Sequence, residues 1–71
     1  MNKKYYTILI NGEPFNCYST MSLKDLLTYL NLNIHTVIIE YNQLVVNSSQ
    51  FETILLNKDD HIEIITIVGG G

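Results

Sequence analysis

Only one stretch of this chain reads as a helix, and that scarcity limits what the rest can fold into. Ser22-Leu23-Lys24-Asp25 is a helix start. Ser22 suits the N-cap, Asp25 stands where a capping box places its carboxylate, and Met21 can staple against Leu26. Leu23, Leu26, Leu27 and Leu30 recur at helical spacing and form one leucine stripe, which Asn31-Leu32-Asn33 ends. A helix of about two to three turns is marginal alone, so its stripe has to pack on something. An amphipathic helix can also serve a partner, but here no other helix is available to cover a sheet, and core is the favoured use.

The remaining apolar runs are short and rich in β-branched and aromatic residues. Tyr5-Tyr6-Thr7-Ile8-Leu9-Ile10 ends at Asn11-Gly12, the pair best suited to a type I′ hairpin, and Glu13 to Tyr18 returns antiparallel. Pro14 has no N–H and belongs at a strand start or a sheet edge. Alternation puts Ile8, Ile10, Phe15 and Cys17 on one buried face, with Tyr5, Thr7, Leu9, Asn16 and Tyr18 facing away. Thr36 to Glu40 is a third strand, and Tyr41-Asn42-Gln43 turns into Leu44-Val45-Val46. Asn47 to Gln50 is a loop or a 3₁₀ turn with Phe51 folded under as an anchor. Asn57 to Asp60 is a polar turn before a last strand, His61 to Val68.

These elements describe an α+β roll: one mixed sheet with one helix across a single face. The other face lacks cover. In the last strand Ile62 and Ile64 point inward, while Ile65 and Ile67 point the other way, joined by Leu9 and Ile38. An apolar patch left open in this manner suits a transient partner.

The last strand runs directly into Val68-Gly69-Gly70-Gly71. Glycine has no Cβ, so such a segment can lie extended in a channel too narrow for a side chain. Chain ends commonly fray. Here the glycines follow the strand with no linker, and the expected working group is the carboxylate of Gly71, with Gly69 and Gly70 giving access. The expected partner-binding residues are Ile65, Ile67, Val68 and Leu9. Residues 1–71 are read as one domain with 68–71 as a flexible reactive tail.

The totals exclude several alternatives. With 71 residues the chain buries only about 60% of its unfolded surface, leaving no room for a deep catalytic cleft. The net charge is −3, the basic residues are Lys3, Lys4, Lys24 and Lys58, and arginine is absent, which argues against nucleic-acid binding. No apolar run approaches the roughly 20 residues that span a bilayer, and the N-terminus has no signal-peptide core. Cys17 is the single cysteine, placed at a strand position read as buried. His35, His61 and the Asp59-Asp60 pair fall short of a metal site. No acid–base or nucleophile–base constellation is visible, so the chain is read as a non-enzyme.

Taken together, Ile8-Leu9-Ile10-Asn11-Gly12, Leu23 to Leu27 with Leu30, the Val37–Val46 strand pair, Asp60 to Ile64 and the final glycines resemble the ThiS family. These are the ubiquitin-like sulfur carriers of thiazole biosynthesis. The resemblance implies the β-grasp fold with the last strand central in its sheet. Where the family often has Asp-Gly-Asp before that strand, this chain has Lys58-Asp59-Asp60; aspartate tolerates left-handed geometry, so the turn is expected to survive. The resemblance further implies that a ThiF-like adenylyltransferase, related to ubiquitin-activating enzymes, activates the C-terminal carboxylate with ATP and magnesium. Sulfur from a cysteine desulfurase or a rhodanese then displaces AMP, and the thiocarboxylate serves thiazole synthase, ThiG. The carrier itself is expected to bind no cofactor and no metal, to be monomeric when free, and to work in a bacterial cytoplasm or a plastid stroma. The small subunit of molybdopterin synthase, a tRNA-thiolation carrier and a ubiquitin-like binding module without sulfur are the alternatives.

Overall fold

A computed structural model of the protein describes residues 4–67. Strands β1 (Tyr5–Ile10) and β2 (Glu13–Tyr18) are followed by helix α1 (Leu23–Tyr29), β3 (Val37–Tyr41), β4 (Leu44–Val46) and β5 (His61–Thr66), with 3₁₀ turns at Ile34–Thr36 and Ser48–Gln50. The five strands form one sheet in the order β2-β1-β5-β3-β4. β5 lies parallel to β1 and antiparallel to β3, so the sheet is mixed and the last strand is its centre.

The local signals in the sequence explain most of these boundaries. The side chain of Ser22 accepts from the backbone N–H of Asp25 at 3.0 Å, and the Asp25 carboxylate accepts from the N–H of Ser22 at 3.0 Å, which closes the capping box. At the other end Asn31 takes a left-handed φ of 61°. The N–H of Leu32 then reaches the carbonyl of Leu27 at 2.9 Å and that of Asn31 reaches Thr28 at 3.0 Å, a Schellman stop built on asparagine. Both residues of the β1–β2 turn have positive φ, 51° at Asn11 and 83° at Gly12, as a type I′ hairpin requires. Asp59, at φ 67°, takes the left-handed position in the turn before β5. Pro14 sits near the start of β2, an edge strand, where its missing N–H costs no ladder bond.

Three boundaries differ from the sequence reading. Thr36 belongs to a 3₁₀ turn, whose N-terminus Asn33 caps through its side chain, rather than to β3. Tyr41 extends β3 instead of opening the turn, because its phenol is drawn in to hydrogen-bond Asp60. The last strand ends at Thr66 rather than Val68, which lies outside the described residues; Ile67 follows the strand, its N–H still bonded to the carbonyl of Thr36 at 2.7 Å.

The core lies between α1 and one face of the sheet. Leu23, Leu26 and Leu27 of the helix pack with Ile8, Cys17, Val37, Ile39 and Ile62, and Met21, Phe51 and Leu56 close the margins. Phe51 is buried at the end of the second 3₁₀ turn, as the anchor reading expected. Ile10, Phe15 and Ile64 are packed against this cluster.

Candidate functional site

The site is assembled from the exit end of β5 and the sheet face that α1 leaves bare. Gly69, Gly70, Gly71 and Val68 lie outside the described residues. The two described neighbours on that strand stand as alternation predicts: Ile65 and Ile67 are each 47% exposed. Ile38 pairs directly with Ile65 across β3 and β5 and is 39% exposed, so one apolar row runs over two central strands. Leu9 shares this face but is half-buried, flanked in register by Pro14 on one side and His61 on the other. Its contribution to an open patch is smaller than its sequence position suggests.

The end of β5 is held from both flanks. On one side Ile67 donates to Thr36. On the other, β1 pairs with only the first residues of β5, through Leu9 with His61 and Ile10 with Ile62. Beyond that point the side chain of Asn11 takes over the ladder. Its Oδ1 accepts from the N–H of Ile64 at 2.7 Å, and its Nδ2 donates to the carbonyl of Ile64 at 3.2 Å. The amide thus occupies the place of one further strand residue. The sequence marked Asn11 as a turn former; its second role depends on a residue 53 positions away and left no local signal.

The entry end of β5 is fixed by Asp60, a buried carboxylate. Its Oδ2 accepts from the phenol of Tyr41 at 2.6 Å and the N–H of Asn57 at 2.7 Å, and its Oδ1 accepts from Nδ2 of Asn42 at 3.2 Å. Asn42 in turn accepts from the N–H of His61 at 2.8 Å. Burial, then the hydrogen bond to Asp60 and its charge, push the Tyr41 phenol up to about 12. With its acceptors spent on protein donors, Asp60 is a structural hub rather than half of a cation site.

The residues set aside stay apart from the exit. Cys17 is buried in the core, and desolvation foremost, with the charge of Asp60 second, raises its thiol pKa, which keeps it protonated and unreactive. His35, in the first 3₁₀ turn, and His61, the first residue of β5, are both exposed, and among the described residues they share no partner. No helix among the described residues is long and apolar enough to cross a membrane. What the arrangement offers is a central strand gripped on both flanks as far as Ile67.

Comparison with known proteins places this architecture. The sequence model of the ThiS family matches residues 8–71. An uncharacterized protein, ycf40, of Porphyra purpurea is 46% identical over 71 residues, covering 100% of both chains. The protein of the same description from Pyropia yezoensis is 48% identical over 92% of each chain. A thiazole synthase of Magnetococcus marinus is 36% identical over 64 residues, which make up 90% of this chain and 20% of that protein. Among solved structures, a thiamine biosynthesis protein (ThiS) from Geobacter metallireducens superposes with a TM-score of 0.78, covering 92% of this chain and 99% of that one. Its identity is 24%, and it establishes the β-grasp fold. The chain belongs to the ThiS family of ubiquitin-like sulfur carriers.

Proposed function

We propose that this protein carries sulfur for thiazole formation in thiamine biosynthesis, on the carboxyl group of Gly71. An α-carboxyl group has a pKa of about 3.3–3.7, so at neutral pH it is an anion and a poor electrophile. Attack of the carboxylate on the α-phosphorus of ATP, bound with magnesium in a ThiF-like adenylyltransferase, releases pyrophosphate and leaves a mixed acyl anhydride with AMP. The outer sulfur of a persulfide on a cysteine desulfurase or a rhodanese then attacks the acyl carbon and expels AMP, giving an acyl disulfide. A thiol of the donor system cleaves its S–S bond and is itself oxidised to a disulfide, and the thiocarboxylate so released passes sulfur to ThiG. The carrier contributes the reacting carbon and the access: Gly70 and Gly69 let the backbone through a gate that a side chain would block. Every acid, base and metal ion for the activation belongs to the partner, and this chain is a substrate rather than an enzyme.

One observation carries the reading: the strand that leads to the glycines is the central one, clamped at Ile64 by Asn11 and at Ile67 by Thr36. Family membership supplies the chemistry such a device serves. Support for thiazole over the molybdopterin and tRNA-thiolation branches comes from the thiazole synthases, about a fifth of whose length matches this chain. Joining two domains in one polypeptide is a natural arrangement when one hands its cargo to the other. Algal relatives of nearly equal length favour the plastid stroma as the place of action. The experiment is ATP–pyrophosphate exchange with Gly70→Trp. Exchange is expected to fall by about a hundredfold or more while the melting curve stays that of the wild type. Normal exchange with this variant would refute the gate.

A further inference from the structure

The bare face of the sheet carries two carboxylates that the fold leaves unbalanced. Glu40 and Glu63 are directly opposite each other in the β3–β5 register. Residues so placed have Cβ atoms about 4.5–5.5 Å apart, and like charges there repel. Among the described residues the one ion pair is Lys24–Glu52, which involves the helix, and neither Glu40 nor Glu63 has a hydrogen-bond partner for its side chain. The neighbouring row on the same face is Ile38 with Ile65, and beyond it Ile67 leads to the tail. Acidic pair, apolar pair and exit are therefore aligned along the two strands that also aim the reactive end.

We propose that Glu40 and Glu63 together grip one guanidinium that projects from an apolar patch on the adenylating partner, with Ile38 and Ile65 packing beside it. This rests on the carrier reading and adds the chemistry of the partner's surface. An arginine fits better than a lysine because its planar fork offers five donors, enough to serve carboxylates from two strands at once. A second copy of this chain would bring the same two carboxylates, and nucleic acid would bring more negative charge. A half-buried and an exposed carboxylate are far short of a calcium or magnesium shell. The pairing also sets a distance. Gly71 is eight residue steps beyond Glu63, and an extended chain of that length spans at most about 29 Å. The partner's arginine lies within that reach of its nucleotide pocket.

The test is ATP–pyrophosphate exchange by a ThiF-like enzyme, titrated with wild-type carrier and with the double variant Glu40→Gln, Glu63→Gln, each at low and high salt. The variant loses a repulsion and is expected to melt no lower than the wild type, so folding does not confuse the result. Its KM is expected to rise about tenfold with kcat within about twofold, because the contact is lost in docking and not in the chemistry. Salt is expected to raise the wild-type KM and to leave that of the variant nearly flat. An unchanged KM, or a raised KM with the salt dependence intact, overturns this inference and leaves the carrier reading standing. No exchange with the wild-type chain overturns both.

Discussion

The two faces of the sheet are built from the same strands and have opposite fates. On the covered face, Ile8, Ile39 and Ile62 are fully buried against Leu23, Leu26 and Leu27. On the bare face, Ile38, Ile65 and Ile67 remain 39–47% exposed in positions alternating with the buried set. A shift of one residue in register would exchange these sets. What the difference teaches is that in a domain with one helix, stability and recognition can be separated by the parity of a residue along a strand. In β5 the buried Ile62 and half-buried Ile64 hold the fold, and the exposed Glu63 and Ile65 between and beside them are free to meet a partner.

The sharpest way to break this comparison is to truncate one residue on each face. Leu26→Ala is expected to cost about 2–5 kcal/mol, a large share of what so small a domain has to spend. Ile65→Ala should cost under about 1 kcal/mol, since half of its side chain is already in water, yet raise KM for adenylation by about tenfold. Thermal melts and exchange kinetics on both variants separate the two effects; similar stability losses would erase the distinction between the faces.

A smaller effect is expected at Asn11, where turn and ladder can be told apart. Asn11→Gly keeps the positive φ and removes the amide, so the hairpin survives and the two bonds to Ile64 are lost. The expected penalty is about 1 kcal/mol, with faster hydrogen exchange at the N–H of Ile64 and not at Ile8. Unchanged exchange at Ile64 would show that β5 keeps its place without the side chain.

An effect that is full at neutral pH and fades in alkali belongs to Tyr41. Folding holds its phenol up to about 12 through burial and its bond to Asp60, whereas an unfolded tyrosine ionises near about 10. A raised folded pKa means that this stabilisation is complete below about pH 10 and is lost as pH climbs through about 12. The stability gap between wild type and Tyr41→Phe should therefore narrow over that window in denaturant titrations. A gap independent of pH would remove Tyr41 from the alkaline response.

How much of this was legible in the sequence follows from how local each signal is. Ser22 and Asp25 announce the helix because a capping box closes within four residues, and Asn11-Gly12 and Asp59 reveal their turns through backbone preference alone. The alternation of Ile62, Ile64, Ile65 and Ile67 sorted them between faces before any partner strand was known. Other features depend on which strands meet. The grip of Asn11 on Ile64, the convergence of Tyr41, Asn42 and Asn57 on Asp60, and the opposition of Glu40 to Glu63 all join segments distant in the chain. Periodicity has no means of expressing such register. Tyr41 illustrates the point: its residue type suits a strand or a turn, and only the carboxylate of Asp60 decides.

The account's central claim is that the Gly71 carboxyl is the reacting group, and intact mass spectrometry tests it most directly. The purified chain is incubated with a ThiF-like adenylyltransferase, ATP, magnesium and a sulfur donor. The predicted product is the whole chain with one oxygen replaced by sulfur at Gly71, preceded by an AMP adduct when the donor is withheld. A chain that gains neither AMP nor sulfur, with the enzyme active on another carrier, would contradict it.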